Sequence, residues 1–173
     1  KKITAYHEAG HAILFHLLPE MGPVHTISII PTGMGAAGYT MPLPEQDEMF
    51  NSKKKMLENI VVDLGGRVAE ELIFHDITTG ASQDIKQATQ MARAMVTQYG
   101  MSEKVGMIQY GGDENEVFIG RDFGHTKNYA DQTAALIDSE VRRISDESYE
   151  KAKEILSQNE EVLHKCAALL IQK

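Results

Sequence analysis

Apolar residues recur along most of this chain at the three- and four-residue spacing that places them on one face of a helix. The spacing predicts five helices, in residues 2–18, 51–74, between Ser82 and Gly100, 126–156 and 160–172. We expect Ser82 to cap the third helix and Asn159 to begin the fifth. The pattern therefore predicts a mainly α-helical fold.

A short part of the chain alternates instead between apolar and polar residues. Residues 24–30 (VHTISII) are also rich in β-branched side chains and predict a strand, and residues 37–41 predict a second, shorter one. Glycines and prolines between these segments and after them predict loops. We therefore expect a small β-sheet beside the first helix.

Gly65 and Gly66 lie side by side in the middle of the second predicted helix. Each destabilises a helix by roughly 1 kcal/mol relative to alanine, so the pair needs a compensating role. A residue without a Cβ lets another backbone approach closely. The pair therefore predicts a tight contact between this helix and a neighbouring element.

Composition limits the possible functions. A chain of 173 residues fits a single domain, and its net charge of −8 argues against binding nucleic acid or an anionic membrane surface. Its one cysteine, Cys166, allows no internal disulfide, and no apolar run reaches the length of a membrane helix. We expect one soluble domain, residues 1–173, cut from a longer protein because its metal motif begins near residue 1.

That motif is HEAGH, residues 7–11, on the first predicted helix. Residues at i and i+4 share a helix face, with Cβ atoms about 5–6 Å apart, so His7 and His11 can bind one Zn²⁺. Glu8 can take a proton from a zinc-activated water and pass it to the leaving amine. We therefore expect two zinc ligands and the general base of a peptidase, although two surface histidines would produce the same spacing.

A catalytic zinc ion needs a third protein ligand and an open position. The long motif with a third histidine is absent after His11, and His16, five positions on, faces elsewhere on the helix. The remaining candidates are the acidic side chains of the second helix and of the third helix start: Asp63, Glu70, Glu71 and Asp84. Spacing alone does not choose between Glu70 and Asp84.

The residues around the motif resemble the protease domain of FtsH, a family of membrane-anchored, ATP-dependent AAA zinc metalloproteases. The resemblance includes YHEAGHA at residues 6–12 and covers essentially the whole chain. Other matching segments follow in the same order, at residues 23–31, 65–71, 79–85 and 95–101. The resemblance implies that Asp84, in the G-A-S-x-D stretch, is the third ligand and that Glu70 orients a ligand histidine.

The same resemblance implies a helical metallopeptidase domain with a small β-sheet beside the zinc-binding helix, and one Zn²⁺ in each subunit of a homo-hexamer. The function it implies is processive endoproteolysis of unfolded, tagged or membrane proteins. ATP would act only through an AAA domain upstream of residue 1, and the membrane would be contacted only through segments outside this chain. For a full-length protein it implies the cytoplasmic face of the bacterial plasma membrane.

Substrate binding is expected at the second predicted strand, at Gly38, Tyr39 and Thr40. An extended peptide could pair with the edge of this strand through backbone hydrogen bonds, which depend little on sequence. An ordinary edge strand would have the same sequence. Two other functional classes are a pseudo-peptidase, which has no need of Glu8, and a small-substrate zinc amidase, which the G-A-S-x-D segment disfavours.

Overall fold

The structure, a computed structural model, describes residues 1–21, 24–28, 39–42, 50–110 and 130–172. Its helices are α1 (Lys2–Leu17), α2 (Lys53–Phe74), α3 (Ser82–Thr97), α4 (Asp131–Gln158) and α5 (Glu160–Gln172). A short 3-10 turn, Thr79–Ala81, precedes α3. The predicted mainly helical architecture is confirmed. Within the described ranges, no helix is long and apolar enough to cross a membrane.

Two short strands follow α1 in the chain. β1 (Val24–Ser28) and β2 (Tyr39–Pro42) run antiparallel, with Ser28 opposite Tyr39 and Ile27 opposite Thr40. The register shifts between Val24 and Thr26. Both strands lie beside α1.

Glycines allow α1 and α2 to cross at very short range. A Cβ on Gly10 would lie 2.6 Å from the carbonyl oxygen of Gly65, and a Cβ on Gly65 would lie 2.4 Å from Leu14 Cδ1. Real Cβ atoms essentially never come within 3.0 Å of such neighbours. The predicted tight contact at the Gly65-Gly66 pair is therefore confirmed, and α1 is the element that makes it.

Two hydrophobic clusters share α2. One joins α1 and α2 to the end of α4 and to α5, with Leu14, Val68 and Leu163 fully buried. The other joins α2 to α3 and α4, through residues such as Met95 and Ile137. Because α2 contacts α1 on one side and α3 on the other, it is the scaffold that relates those two helices to each other.

The predicted cap of the third helix is wrong. Ser82 is the first residue of α3, and Ala81 occupies the cap position without a side-chain hydrogen bond. The 3-10 turn runs directly into α3, so the capping oxygen lies earlier, on Thr78, whose Oγ accepts a hydrogen bond from the Gly80 N–H at 3.1 Å. At the other end, α3 stops at Thr97, before Gly100, whose φ is +61°.

Candidate metal centre

His7 and His11 lie one above the other on the buried face of α1. Both side chains are buried, and their rings meet edge to face with centroids 4.8 Å apart. Their Nε2 atoms are 3.1 Å apart. The i, i+4 spacing thus brings the two imidazoles to one point, as the sequence predicts.

Each of these rings is oriented through its other nitrogen. His11 Nδ1 lies 2.7 Å from the Val62 carbonyl oxygen, which can only accept a hydrogen bond, so Nδ1 carries the proton. His7 Nδ1 donates to Glu70 Oε2 at 2.7 Å. In the neutral rings both Nε2 atoms therefore carry no proton, and each can bind a metal ion.

Asp84, in the first turn of α3, supplies the third group. Its Oδ2 lies 2.9 Å from His7 Nε2 and 3.1 Å from His11 Nε2. The Asp84 side chain is 24% exposed, whereas both histidine side chains are nearly enclosed. The cluster therefore opens to solvent on the side of the carboxylate.

The three atoms fit a zinc ion. With the Nδ1 protons donated elsewhere, two Nε2 lone pairs and a carboxylate oxygen face one another, which is repulsive unless a proton or cation lies between them. The described residues hold one group of this kind able to bind a metal, formed by His7, His11 and Asp84. In a tetrahedral site with bonds of about 2.0–2.1 Å the ligand atoms lie about 3.3–3.4 Å apart. The separations found here, 2.9–3.1 Å, are within a few tenths of an ångström of that.

In the metal-free chain a proton takes this position. Burial lowers the pKa of His11, but the hydrogen bond to Asp84 and its charge, with a smaller effect of the Glu8 charge, raise it overall to about 9. Burial raises the pKa of Asp84, but the hydrogen bonds and charges of both histidines hold it well below its usual range. The centre is therefore an imidazolium–carboxylate pair until a cation displaces the proton.

Glu8 lies next to His7 on α1 and is 5% exposed. It is close enough for its charge to act on His11. It is not one of the three residues whose ligand atoms converge. A carboxylate beside a metal centre, but outside its ligand set, is the arrangement that proton transfer requires.

Glu70 links the two sides of the centre. It is 1% exposed on α2, and while Oε2 accepts from His7, Oε1 accepts from the Thr78 N–H at 3.1 Å and from the Thr78 hydroxyl at 2.7 Å. The predicted contact between Glu70 and a histidine is present in the structure. Thr78, which belongs to the connection leading to Asp84, has no place in the sequence prediction.

Gly66 is a second residue whose contribution to the centre goes beyond the sequence prediction. A Cβ at Gly66 would lie 2.4 Å from His7 Cε1 and 2.4 Å from His7 Nε2, so the imidazole occupies the space that any side chain would need. The sequence signal is present, since the glycine pair stands out in a helix. The glycine pair predicts a contact with another backbone, but at Gly66 the contact is with the His7 ring.

The structure separates the other candidate ligands from the centre. Asp63 is half-buried near the centre. Burial raises the pKa of its carboxyl, the His11 charge lowers that pKa and the Asp84 charge raises it, and together they bring it to about 7. Its carboxylate is not among the converging atoms. Glu71 points to α4 and accepts a hydrogen bond from Tyr149 at 2.6 Å. His16 is exposed, as expected for a residue facing away from the site.

The predicted substrate-binding residues are only partly described, and two further histidines lie away from the centre. Gly38 lies outside the described residues. Tyr39 and Thr40 belong to β2 and pair with β1 through the backbone. His75 ends α2 in the left-handed conformation, with φ +55°, and His164 bonds through Nδ1 to the Tyr6 hydroxyl at 2.6 Å. Both histidines therefore have structural surroundings, away from the metal centre.

Comparison with known proteins adds a family to this geometry. The whole chain, residues 1–173, matches Peptidase family M41. It is 53% identical over 173 residues to the ATP-dependent zinc metalloprotease FtsH of Caldicellulosiruptor bescii, and equally to FtsH 1 of a Thermoanaerobacter species. The FtsH of Veillonella parvula is 48% identical over 173 residues. These alignments cover 100% of this chain but only 28%, 28% and 27% of the three relatives.

The resemblance to FtsH proteases that begins with HEAGH is thus confirmed over the full length of the chain. The matched region contains the two histidines, the glycine pair and Asp84. The chain belongs to peptidase family M41.

Proposed function

We propose that this chain is a zinc-dependent endopeptidase domain, with His7, His11 and Asp84 as the zinc ligands and Glu8 as the general base. The observation that carries the proposal is the convergence of two Nε2 atoms and one carboxylate oxygen within 3.1 Å of one another. Membership of a peptidase family and the zinc metalloprotease names of its relatives support it.

The chain's own groups divide the work of peptide hydrolysis. Glu8 accepts a proton from the attacking water and delivers it to the leaving amine. A bound zinc ion supplies acidification of that water and polarisation of the scissile carbonyl. Val62 and Glu70 hold the imidazoles in the tautomer that turns Nε2 towards the centre.

The substrate is an extended polypeptide that pairs with β2, in the region of Gly38, Tyr39 and Thr40. β2 lies beside α1, the helix that bears the two histidines, which supports substrate binding on this side of the domain. Backbone pairing selects extended chains with little regard to sequence, as degradation of unfolded proteins requires. A complex with a peptide analogue that binds without pairing to β2 would remove this part of the proposal.

The chain spans about a quarter of the length of its relatives, whose names describe ATP-dependent proteases. We therefore assign ATP use and unfolding of tagged or membrane proteins to a longer protein that contains this domain. In that protein the domain works in a homo-hexamer, with one zinc ion per subunit, at the cytoplasmic face of a bacterial plasma membrane. The mass of the full-length assembly and its ATP requirement for casein cleavage test these assignments.

Metal analysis and casein cleavage test the chemistry. Wild type should bind one zinc ion per chain. Glu8→Gln should retain that zinc and lose cleavage, because it removes the base and leaves the ligands intact. Asp84→Ala should lose zinc affinity, because it removes a ligand. An Asp84→Ala variant with full zinc and activity would show the ligand assignment to be wrong, and a Glu8→Gln variant with full activity would exclude Glu8 as the base.

A further inference from the structure

Thr78 makes four polar contacts although it lies on an exposed connection between α2 and α3. Its N–H and its hydroxyl both donate to Glu70 Oε1, at 3.1 and 2.7 Å. Its Oγ accepts from the Gly80 N–H, and its carbonyl oxygen accepts from Arg67 Nη2 at 2.9 Å. Such a residue is held by polar contacts rather than by apolar packing.

These contacts matter most for Glu70. A carboxylate that is 1% exposed has lost nearly all contact with water, so protein donors must satisfy its oxygens. Thr78 provides both donors on Oε1, and His7 occupies Oε2. Without the Thr78 hydroxyl, the Glu70 carboxylate loses the shorter of the two hydrogen bonds to Oε1. The carboxylate can then rotate more freely, and it fixes the orientation of the His7 ring less well.

The same residue determines where α3 begins. Thr78 Oγ caps the 3-10 turn Thr79–Ala81, and α3 starts directly after that turn, with Asp84 in its first turn. One side chain therefore contacts the group that orients His7 and the turn that precedes Asp84. Among the hydrogen bonds of the described residues, no other hydroxyl contacts both Glu70 and the turn that precedes Asp84.

We propose that Thr78 is a positioning residue of the metal centre, which acts through Glu70 to hold His7 and Asp84 in register for a divalent cation. This inference rests on the proposed function, since it assumes that His7, His11 and Asp84 bind zinc. Thr78 touches neither the metal nor the substrate, so its effect is on the geometry and affinity of the site.

Zinc affinity of the metal-stripped chain, measured by competition with a chromophoric chelator, tests the inference. Thr78→Val keeps the side-chain shape and the N–H but removes the hydroxyl, and should weaken zinc binding by about 10-fold, the lower end of the range for loss of a ligand's own hydrogen-bond partner, because Thr78 acts on His7 through Glu70. Thr78→Ser restores the hydroxyl and should restore affinity. Thr89→Val is the matched control, because this exposed hydroxyl of α3 donates to the Ile85 carbonyl of its own helix, and its loss should change affinity by about twofold or less.

A double-mutant cycle shows whether Thr78 acts through Glu70. Glu70→Ala alone should weaken zinc binding, and adding Thr78→Val should weaken it little further, because the carboxylate that Thr78 contacts is already absent. Fully additive losses, or a Thr78→Val affinity equal to that of the Thr89→Val control, would overturn the inference. Far-ultraviolet circular dichroism and the melting temperature of each metal-free variant separate these results from a failure to fold.

The two proposals fail in different ways. If wild type binds zinc and cleaves casein while Thr78→Val does both equally well, only the positioning role is wrong. If wild type takes up no zinc, the metal centre itself is wrong and the positioning role falls with it. The visible spectrum of the cobalt-substituted chain adds a readout of ligand geometry that a purely structural role of Thr78 would leave unchanged.

Discussion

The metal centre is built from two parts of the chain that are fixed in different ways. His7 and His11 belong to α1, where residues 5–15 are all buried and the helix packs directly on the glycines of α2. Asp84 follows a connection in which residues 75–80 are exposed, and hydrogen bonds hold that connection in place. We therefore expect added volume to disturb the packed part, and a change of protonation to disturb the contact between the two parts, at His11 and Asp84.

Added volume should do the greatest damage in the packed part. Gly66→Ala places a Cβ 2.4 Å from His7 Nε2, so the ring must leave its position. We expect zinc affinity to fall by more than the roughly 100-fold that follows loss of an outer partner. Chelator competition measures this. Gly65→Ala is the control, because its Cβ meets the end of the Leu14 side chain, and equal losses in both variants would contradict the explanation.

A change of pH should act where the two parts meet, at the pair formed by His11 and Asp84. The pKa of His11 is raised in the folded metal-free chain from 6.5 to about 9, so its contribution to stability is complete below about pH 6.5. It is lost as the pH rises through about 9, by up to roughly 3 kcal/mol in the free energy of unfolding. Urea unfolding of the metal-free chain at several pH values measures the loss.

Zinc binding should have the opposite dependence on pH. The metal requires the neutral imidazole, so apparent zinc affinity should rise as the pH increases towards about 9. Asp84→Asn removes the negative charge that raises the His11 pKa, and its metal-free stability should vary less over this interval. An equally steep pH dependence in Asp84→Asn would rule out the His11–Asp84 pair as its source.

A larger side chain at Gly10 should disturb the packing of α1 on α2, although no metal ligand is replaced. Gly10→Ala brings a Cβ to 2.6 Å from the Gly65 carbonyl oxygen and 2.8 Å from Ala69 Cβ, both of which are fixed to the backbone of α2. We expect the free energy of unfolding to fall by about 1–3 kcal/mol. Gly65→Ala should cost less, because Leu14 can rotate, and the reverse order in urea unfolding would refute this account.

The smallest effect should come from the contact of Glu71, which follows Glu70 in the sequence but has a different role. Glu71 accepts the Tyr149 hydroxyl on the α4 side of α2, away from the metal centre. Tyr149→Phe should lower the free energy of unfolding by about 1 kcal/mol and leave zinc affinity unchanged. A loss of zinc affinity in Tyr149→Phe would mean that the α4 side of α2 also contributes to the centre.

The same contrast explains what the sequence could predict. The helices and the pairing of His7 with His11 depend on spacing within a few residues, and local periodicity reports such spacing directly. Asp84 lies 77 residues from His7, so its contact depends on how α2 relates α1 to α3. Spacing leaves Glu70 and Asp84 as equal candidates, and the resemblance to a known family, rather than physical reasoning, selects Asp84.

Errors and omissions occur where the backbone is irregular. Ser82 has the sequence of a helix cap, but the 3-10 turn before α3 shifts the capping role to Thr78. The contact between Gly66 and the His7 ring needs the crossing point of two helices, which a hydrophobic pattern does not specify. Propensity identifies the glycine pair as unusual, and tertiary packing decides what fills the space.

The order of synthesis gives the contact between α1 and α5 a further consequence. The Tyr6 hydroxyl bonds to His164 across 158 residues, and Leu163 and Ala167 complete the core on which Ala5 and Leu14 pack. The helix that carries the two histidines is synthesised before α5, so it cannot be fully buried until residues near 167 have emerged. Since long-range contacts of this kind form slowly and late, we expect the cluster of His7, His11 and Asp84 to reach its packed form only after α5 has been synthesised.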